Sequence, residues 1–427
     1  MLATAVLLLL GLIAVGIPVA AALGWLGLLM GHFFTPMPVH RAIGDIVWQN
    51  SIEYLLVAIP MFVMLGELLL RSGVTTRMYD AMAKWLSWLP GGLMHSNIGA
   101  CALFAATSGS SVATAATIGT VAEPEMRERK YNAPLFLGTI AAGGTLGILI
   151  PPSINLIVFG LLTNTSVSEL YLAGFIPGVL LALLFMATVI VACLWKKEWG
   201  GETVRYSWSD RMASLVHLLP PVFIFLVVVG SIYAGWATPT EAASLGVVAA
   251  LVLAAFYRTL TLAMLREVFK GTMRTTAIIM LIILAAIFLN FVLTAIGLTT
   301  QLTDFISGLG LSPLGTLLLI IAFYVILGCF METFSMLITT ATIVTPIVVG
   351  LGYDPVWFGI LLMVLLETAL ITPPIGINLF VVQSVRTGGE LKDVMIGASP
   401  FVIAMFAMIA LLIALPDLAL WLPSLFY

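Results

Sequence analysis

Two stretches of this chain place a double proline and an asparagine inside an otherwise apolar run. The first is Pro151-Pro152-Ser153-Ile154-Asn155 and the second is Pro373-Pro374-Ile375-Gly376-Ile377-Asn378. A proline inside a helix removes a backbone donor and clashes with the preceding turn, and it pushes the residue before it out of helical angles. Each run should therefore begin as a helix, break, and restart. At membrane depth such a break is tolerated only where protein or a wet cavity takes up the freed backbone groups. Free carbonyls at a break suit a hard cation such as Na⁺. The amides that open the restarted helix suit an anion.

Two hydroxyl-rich stretches accompany the breaks. One contains Thr107, Ser108, Gly109, Ser110, Ser111 and Thr114; the other contains Gly328, Glu332, Thr333, Ser335 and Thr339. Clustered glycine and serine predict a turn, which leaves orphan carbonyls on one helix end and orphan amides on the next. Gly143, Gly144 and Gly147 would let the backbone come close before Pro151, while Glu367, Thr368 and Thr372 precede Pro373. Asn155 and Asn378 fall just after the breaks, where they could cap the restarted helix or reach a ligand. Glu332 and Glu367 are carboxylates at membrane depth, where an ionisable group is costly and points to function. Glu67, nearer a span end, reads as structural. No Lys or Arg lies in either hairpin region or near the breaks, so an anionic cargo would be held by amides, hydroxyls, asparagine and bound cations.

The composition sets the frame for this chemistry. Of 427 residues, 61% are hydrophobic and only 9% charged, against roughly a quarter charged in soluble domains. The chain is a polytopic, all-α membrane protein. Its net charge of -3 is small, which argues against nucleic acid as a partner. Cys101, Cys193 and Cys329 are far apart and form no disulfide or zinc pattern. No histidine falls at a hairpin tip or a break (His95 lies at the foot of the first hairpin), so an intramembrane enzyme lacks its nucleophile–base pair or metal ligands.

Charge then assigns sides. Basic loops at 71–90, 125–131, 196–211, 258–274 and 386–392 belong in the cytoplasm, and the loops at 163–169, 235–240, 297–312 and 350–355 carry no Lys or Arg. The two sets alternate only if 92–124 and 313–350 enter and return on one side, as re-entrant hairpins. Spans are expected at 2–31, 52–70, 170–195, 213–235, 240–257, 275–297 and 393–421, with broken helices at 133–162 and 355–385. That makes nine crossings, with the N-terminus cytoplasmic and the C-terminus outside. The order span, span, hairpin, broken helix, span occurs twice with opposite orientation. Ala116-Thr117-Ile118 and Ala341-Thr342-Ile343 match between the halves. Inverted repeats with discontinuous helices mark secondary transporters, whose sites lie between the repeats.

At Ala106-Thr107-Ser108-Gly109-Ser110-Ser111-Val112-Ala113-Thr114, at 144–153 and at 367–378, the chain resembles the large membrane subunit of tripartite ATP-independent periplasmic (TRAP) transporters, the DctM family of the ion transporter superfamily. The resemblance covers essentially the whole chain. It implies an elevator-type carrier in a bacterial inner membrane that imports a carboxylate with two or more Na⁺ ions. It implies a periplasmic binding protein that delivers the cargo and a small four-helix membrane subunit, here expected as a separate chain. By analogy, one Na⁺ would lie among Ser108, Ser110, Gly144, Gly147 and Pro151. A second would lie among Gly328, Glu332, Thr333, Thr368, Thr372 and Pro374. Substrate would sit near Ser110, Ser111, Asn155, Thr333, Ser335 and Asn378. The expected organisation is scaffold at 1–91, a transport half at 92–165, scaffold and linking helix at 166–312, a second transport half at 313–386, and a scaffold span at 387–427. A cation–dicarboxylate symporter of the same superfamily, working without a binding protein, is the alternative.

Overall fold

A computed structural model describes all residues except 203, 205, 299, 300, 302–307, 309, 330 and 427. Among the described residues every regular element is helical. Among the described residues six helices are long and apolar enough to cross a membrane, one of them the hairpin arm Thr333–Gly350, and a pair bent by 43° passes the same test when taken together.

Both double prolines break helices. Ala133–Thr145 stops before Pro151-Pro152 and the chain resumes as Ile154–Thr163; Pro355–Ile371 stops before Pro373-Pro374 and resumes as Ile377–Val385. Both predicted hairpins are present. The first has an inner arm Leu93–Ser108 and an outer arm Ser111–Glu128, reversed at Gly109 with φ +61°. That left-handed angle favours glycine, and a Cβ there would stand 2.7 Å from the Pro152 carbonyl oxygen. The second hairpin has arms Pro313–Gly328 and Thr333–Gly350, tied by a 2.6 Å hydrogen bond between the hydroxyls of Tyr324 and Thr340.

The two repeats interlock. The outer arm of the first hairpin lies against Ile377–Val385, and the second arm of the second hairpin lies against Ile154–Thr163. Asn378 joins the halves directly by donating to the Ala141 carbonyl at 3.1 Å. A further chain of bonds fastens the first half. The Tyr79 hydroxyl donates to Asn97 at 2.8 Å, and Asn97 donates to the Thr139 hydroxyl at 2.9 Å. This holds the amphipathic helix Val74–Leu86 on the hairpin and the first broken helix.

Around this core, Val19–Phe34 packs on Leu262–Ala295, and the span Tyr54–Arg71 packs on Pro239–Phe256 and Leu262–Ala295. Leu391–Ala414 behaves differently. It packs on Ala133–Thr145, Pro355–Ile371 and Val167–Trp195, away from those four spans. Its approach to Ala133–Thr145 is backbone to backbone. A Cβ on Gly138 would fall on the Gly397 carbonyl, and one on Gly397 would fall on the Pro134 carbonyl. Small residues permit such close crossings where lipid supplies no hydrophobic drive.

Three expectations change. The first span, expected as one helix over 2–31, is two helices, Leu2–Ala14 and Val19–Phe34. Gly16 has φ +81° and Pro18 precedes the second helix, so the backbone turns between them. The basic stretch 258–274, expected as a loop, is largely the start of the 34-residue helix Leu262–Ala295. Helix-favouring residues carry the helix through Arg266, Lys270 and Arg274. At 1.5 Å per residue it is about 50 Å long, well beyond the roughly 30 Å of a bilayer core. The linking span, expected at 213–235, is bent at Leu218, between Trp208–His217 and Leu219–Tyr233. The loop at 297–312, expected to carry no Lys or Arg, lies largely outside the described residues.

Candidate functional site

Each hairpin tip meets the break of its own repeat. A Cβ on Gly147 would lie 2.8 Å from the Ser110 carbonyl carbon and 2.9 Å from the Ser111 nitrogen; one on Gly144 would lie 2.7 Å from the Ala115 Cβ. Only glycine lets the first tip seat on the first break. The Ser111 hydroxyl donates to the Thr145 carbonyl at 3.0 Å, which locks that seat. Ser108 Oγ and Thr114 Oγ1 are 3.2 Å apart. In the second repeat a Cβ on Gly328 would stand 2.5 Å from the Ala369 Cβ, and Cys329 Sγ lies 3.7 Å from the Pro373 carbonyl oxygen.

The tips border one cavity of about 170 Å³. Its polar lining comes from Ser108, Ser110, Ser111 and Asn155 on one side, Glu332 and Thr333 on another, and Glu67 and Thr275 on the wall formed by Tyr54–Arg71 and Leu262–Ala295. Four of the six residues expected at the cargo, Ser110, Ser111, Asn155 and Thr333, thus converge. Ser335 and Asn378 are not in the lining. The Ser335 hydroxyl donates to Glu332 at 3.1 Å, and Asn378 is fully buried on Ala141.

The two helix starts at the cavity carry different caps. Ser110 caps the first outer arm through a long 3.4 Å bond from the Ala113 amide, so that end keeps its amides and positive dipole. Glu332 caps the second. Its two oxygens accept from the amides of Phe334 and Ser335, both at 2.9 Å, and from the hydroxyls of Thr333 and Ser335, both at 3.1 Å. The carboxylate therefore offsets the positive end of its own helix. Glu67 pairs with Arg71 at 3.1 Å. No Lys or Arg is among the lining residues.

The expected cation residues divide in the same manner. Gly144, Gly147 and Pro151 are buried and tightly packed. Thr368 and Thr372 donate to carbonyls of their own helix, Val364 at 2.7 Å and Thr368 at 2.6 Å. Pro374 is exposed. Glu367 is fully buried on the helix before the second break, away from the cavity, and neither of its oxygens has a hydrogen-bond partner among the described residues. The wall of Glu67, Leu70, Thr275 and Ile279 was not foreseen. Glu67 was visible as an intramembrane carboxylate, but nothing in the sequence shows which face of its helix meets the tips.

Cys329 provides a reporter at the second tip. Cys101 and Cys193 are buried whereas Cys329 is partly exposed. N-ethylmaleimide applied to the folded protein should modify Cys329 and spare the other two until denaturant is added. Equal labelling of all three by intact-mass spectrometry would contradict the packing described above.

A membrane-embedded inverted repeat whose hairpin tips share one cavity beside the first helix break fits the architecture of a secondary transporter. The chain belongs to the tripartite ATP-independent periplasmic transporter family, DctM component, whose model matches residues 6–418. It is 36% identical to the C4-dicarboxylate TRAP transporter large permease protein DctM of Pseudomonas aeruginosa, over 94% of each chain. It is 32% identical to the sialic acid TRAP transporter large permease protein SiaM of Vibrio cholerae, over 96% of this chain and 99% of that one. Among solved structures it is similar in fold to the Alcanivorax borkumensis YdaH transporter, with a TM-score of 0.54 over 88% of this chain and 89% of that one. Identity there is 12%, so that likeness concerns the fold alone.

Proposed function

We propose that this chain is the large subunit of a Na⁺-coupled importer of an organic acid. A periplasmic binding protein delivers the cargo, and a small four-helix subunit completes the membrane complex. The observation that carries this reading is the single cavity at which Ser110, Ser111, Asn155 and Thr333 meet, bordered by two helix starts and lined by no Lys or Arg. A carboxylate there would rest on the amides at Ser111 and Val112 and on Asn155. Cations at the breaks would supply the positive charge that the lining lacks. Relatives that carry C4-dicarboxylates and sialic acid support an acidic cargo.

In this reading the complex lies in a bacterial inner membrane with the N-terminus in the cytoplasm and the C-terminus in the periplasm. The two hairpins and broken helices move as one body against the scaffold, in elevator fashion. The packing of Leu391–Ala414 on both broken helices supports assigning that span to the moving body rather than to the scaffold. The cavity wall at Glu67, Leu70 and Thr275 adjoins Arg71 and Arg274, which charge bias assigns to the cytoplasm. That supports a state open inward.

The test is uptake into proteoliposomes holding this chain and its small subunit, supplied with candidate binding proteins and labelled organic acids. Import should require an inward Na⁺ gradient and the binding protein. Import that persists without Na⁺ would remove the coupling, and import without a binding protein would favour the symporter alternative.

A further inference from the structure

The two breaks share a sequence pattern but not a hydrogen-bonding state. The first is closed on itself. After Thr145 the amides of Leu146, Gly147, Ile148, Leu149 and Ile150 donate in turn to the carbonyls of Gly143, Gly144, Thr145 and Leu146, at 2.9–3.3 Å. The Thr145 carbonyl also receives the Ser111 hydroxyl. Pro151, Pro152 and Ser153 are all buried. The amides there are taken up by the turn and the tip covers it, while the carbonyls of Gly147 and Pro151 receive no backbone donor among the described residues.

The second break makes only a loose turn over 373–375. The helix ends at Ile371, and Thr372 at its end is extended, with φ −93° and ψ 123°. Among the described residues the amides of Thr372, Ile375 and Gly376 make no backbone hydrogen bond outside regular helix. The Pro373 carbonyl has only the long Cys329 thiol contact. Pro373, Pro374 and Ile375 are exposed. The facing tip carries Glu332, whose carboxylate caps its own helix and lines the cavity together with Leu370, just before the break. Both breaks thus offer a hard cation carbonyls without a backbone donor among the described residues, but those of the first are buried in a turn whose amides are bonded, and those of the second are exposed beside amides that are not.

We propose that the two cation positions are unequal: the first is preformed and shielded, and the second is formed by the cation itself and is the one that exchanges with water. This rests on the Na⁺ reading above. Binding at the second position orders Thr372–Asn378 against the second tip, so that position senses whether Na⁺ is present. The first acts as a fixed support for the cargo.

The experiment is amide hydrogen exchange by mass spectrometry on the protein in lipid nanodiscs, in NaCl and in choline chloride at equal ionic strength. In choline, peptides covering 145–150 should exchange slowly and those covering 372–378 fast. Na⁺ should slow the second set by about tenfold, the equivalent of about 1.4 kcal/mol, and change the first by less than about twofold. The rate of Cys329 alkylation should fall in parallel. Equal protection at both breaks, or protection confined to the first, would overturn the inequality. Absence of protection at the second break in a preparation that still shows Na⁺-driven uptake would overturn the inference alone. Its absence together with Na⁺-independent uptake would overturn the coupling on which it rests.

Discussion

Uptake by the Gly147→Val variant is expected to be lost while the protein still reaches the membrane in near wild-type amount. A Cβ at this position already lies 2.8–3.0 Å from the backbone of Ser110 and Ser111. Backbone cannot rotate aside as a side chain can, so the tip must move. Gly147→Ala, which adds only that carbon, should slow uptake by about tenfold, at the low end of the ~1–3 kcal/mol that overpacking costs. Valine adds two more carbons and should unseat the tip, breaking the bond from the Ser111 hydroxyl to Thr145 as it does so. Gly24 is the control: a Cβ there meets nothing within 4 Å, so Gly24→Ala should leave uptake unchanged. Normal transport by Gly147→Val would mean that the first tip does not work from its seat on the break.

The second large effect is on stability. Gly397→Val places a side chain on the Pro134 carbonyl at the crossing of Leu391–Ala414 with Ala133–Thr145. Gly138 meets Gly397 from the other side, so neither helix has room to yield without parting the pair. The expected destabilisation is about 3 kcal/mol, the upper end of the overpacking range. It would be read as a lowered melting midpoint in fluorescence-detected size-exclusion chromatography. Gly138→Val should behave alike, because the same contact is lost. A wild-type midpoint for both would show that the crossing is not tight.

Much of this architecture was legible in the residues. Proline and glycine dictate backbone geometry locally, so Pro151-Pro152, Pro373-Pro374 and Gly109 marked two breaks and a turn. The charge asymmetry of the loops forced the hairpins, and both are present. What the sequence hid depends on partners. Arg266, Lys270 and Arg274 read as loop because charge signals the end of a span, yet charge does not end a helix. Glu332 read as an ion ligand because it is a carboxylate at depth; that it also caps its own helix depends on the amides two and three residues on. Ser335 and Asn378 stood at the right spacing but turned to protein partners. The Gly138–Gly397 crossing was invisible because a glycine in a helix does not announce what lies against it. The difference between the breaks was hidden by the very symmetry that revealed them.

The interlocked packing of the repeats also constrains how the chain can be built. The outer arm of the first hairpin, Ser111–Glu128, is covered by Ile377–Val385, with Gly119 set against Val385. During synthesis that arm must remain without its neighbour until nearly the whole chain has emerged. Such a contact closes late because its two sides are far apart in sequence. The first repeat is therefore a half-finished surface for most of translation. Its hydroxyls and small residues suit that wait, since they leave no large sticky face for another chain to capture. The last segments of the protein do more than add a second site: they complete the first half.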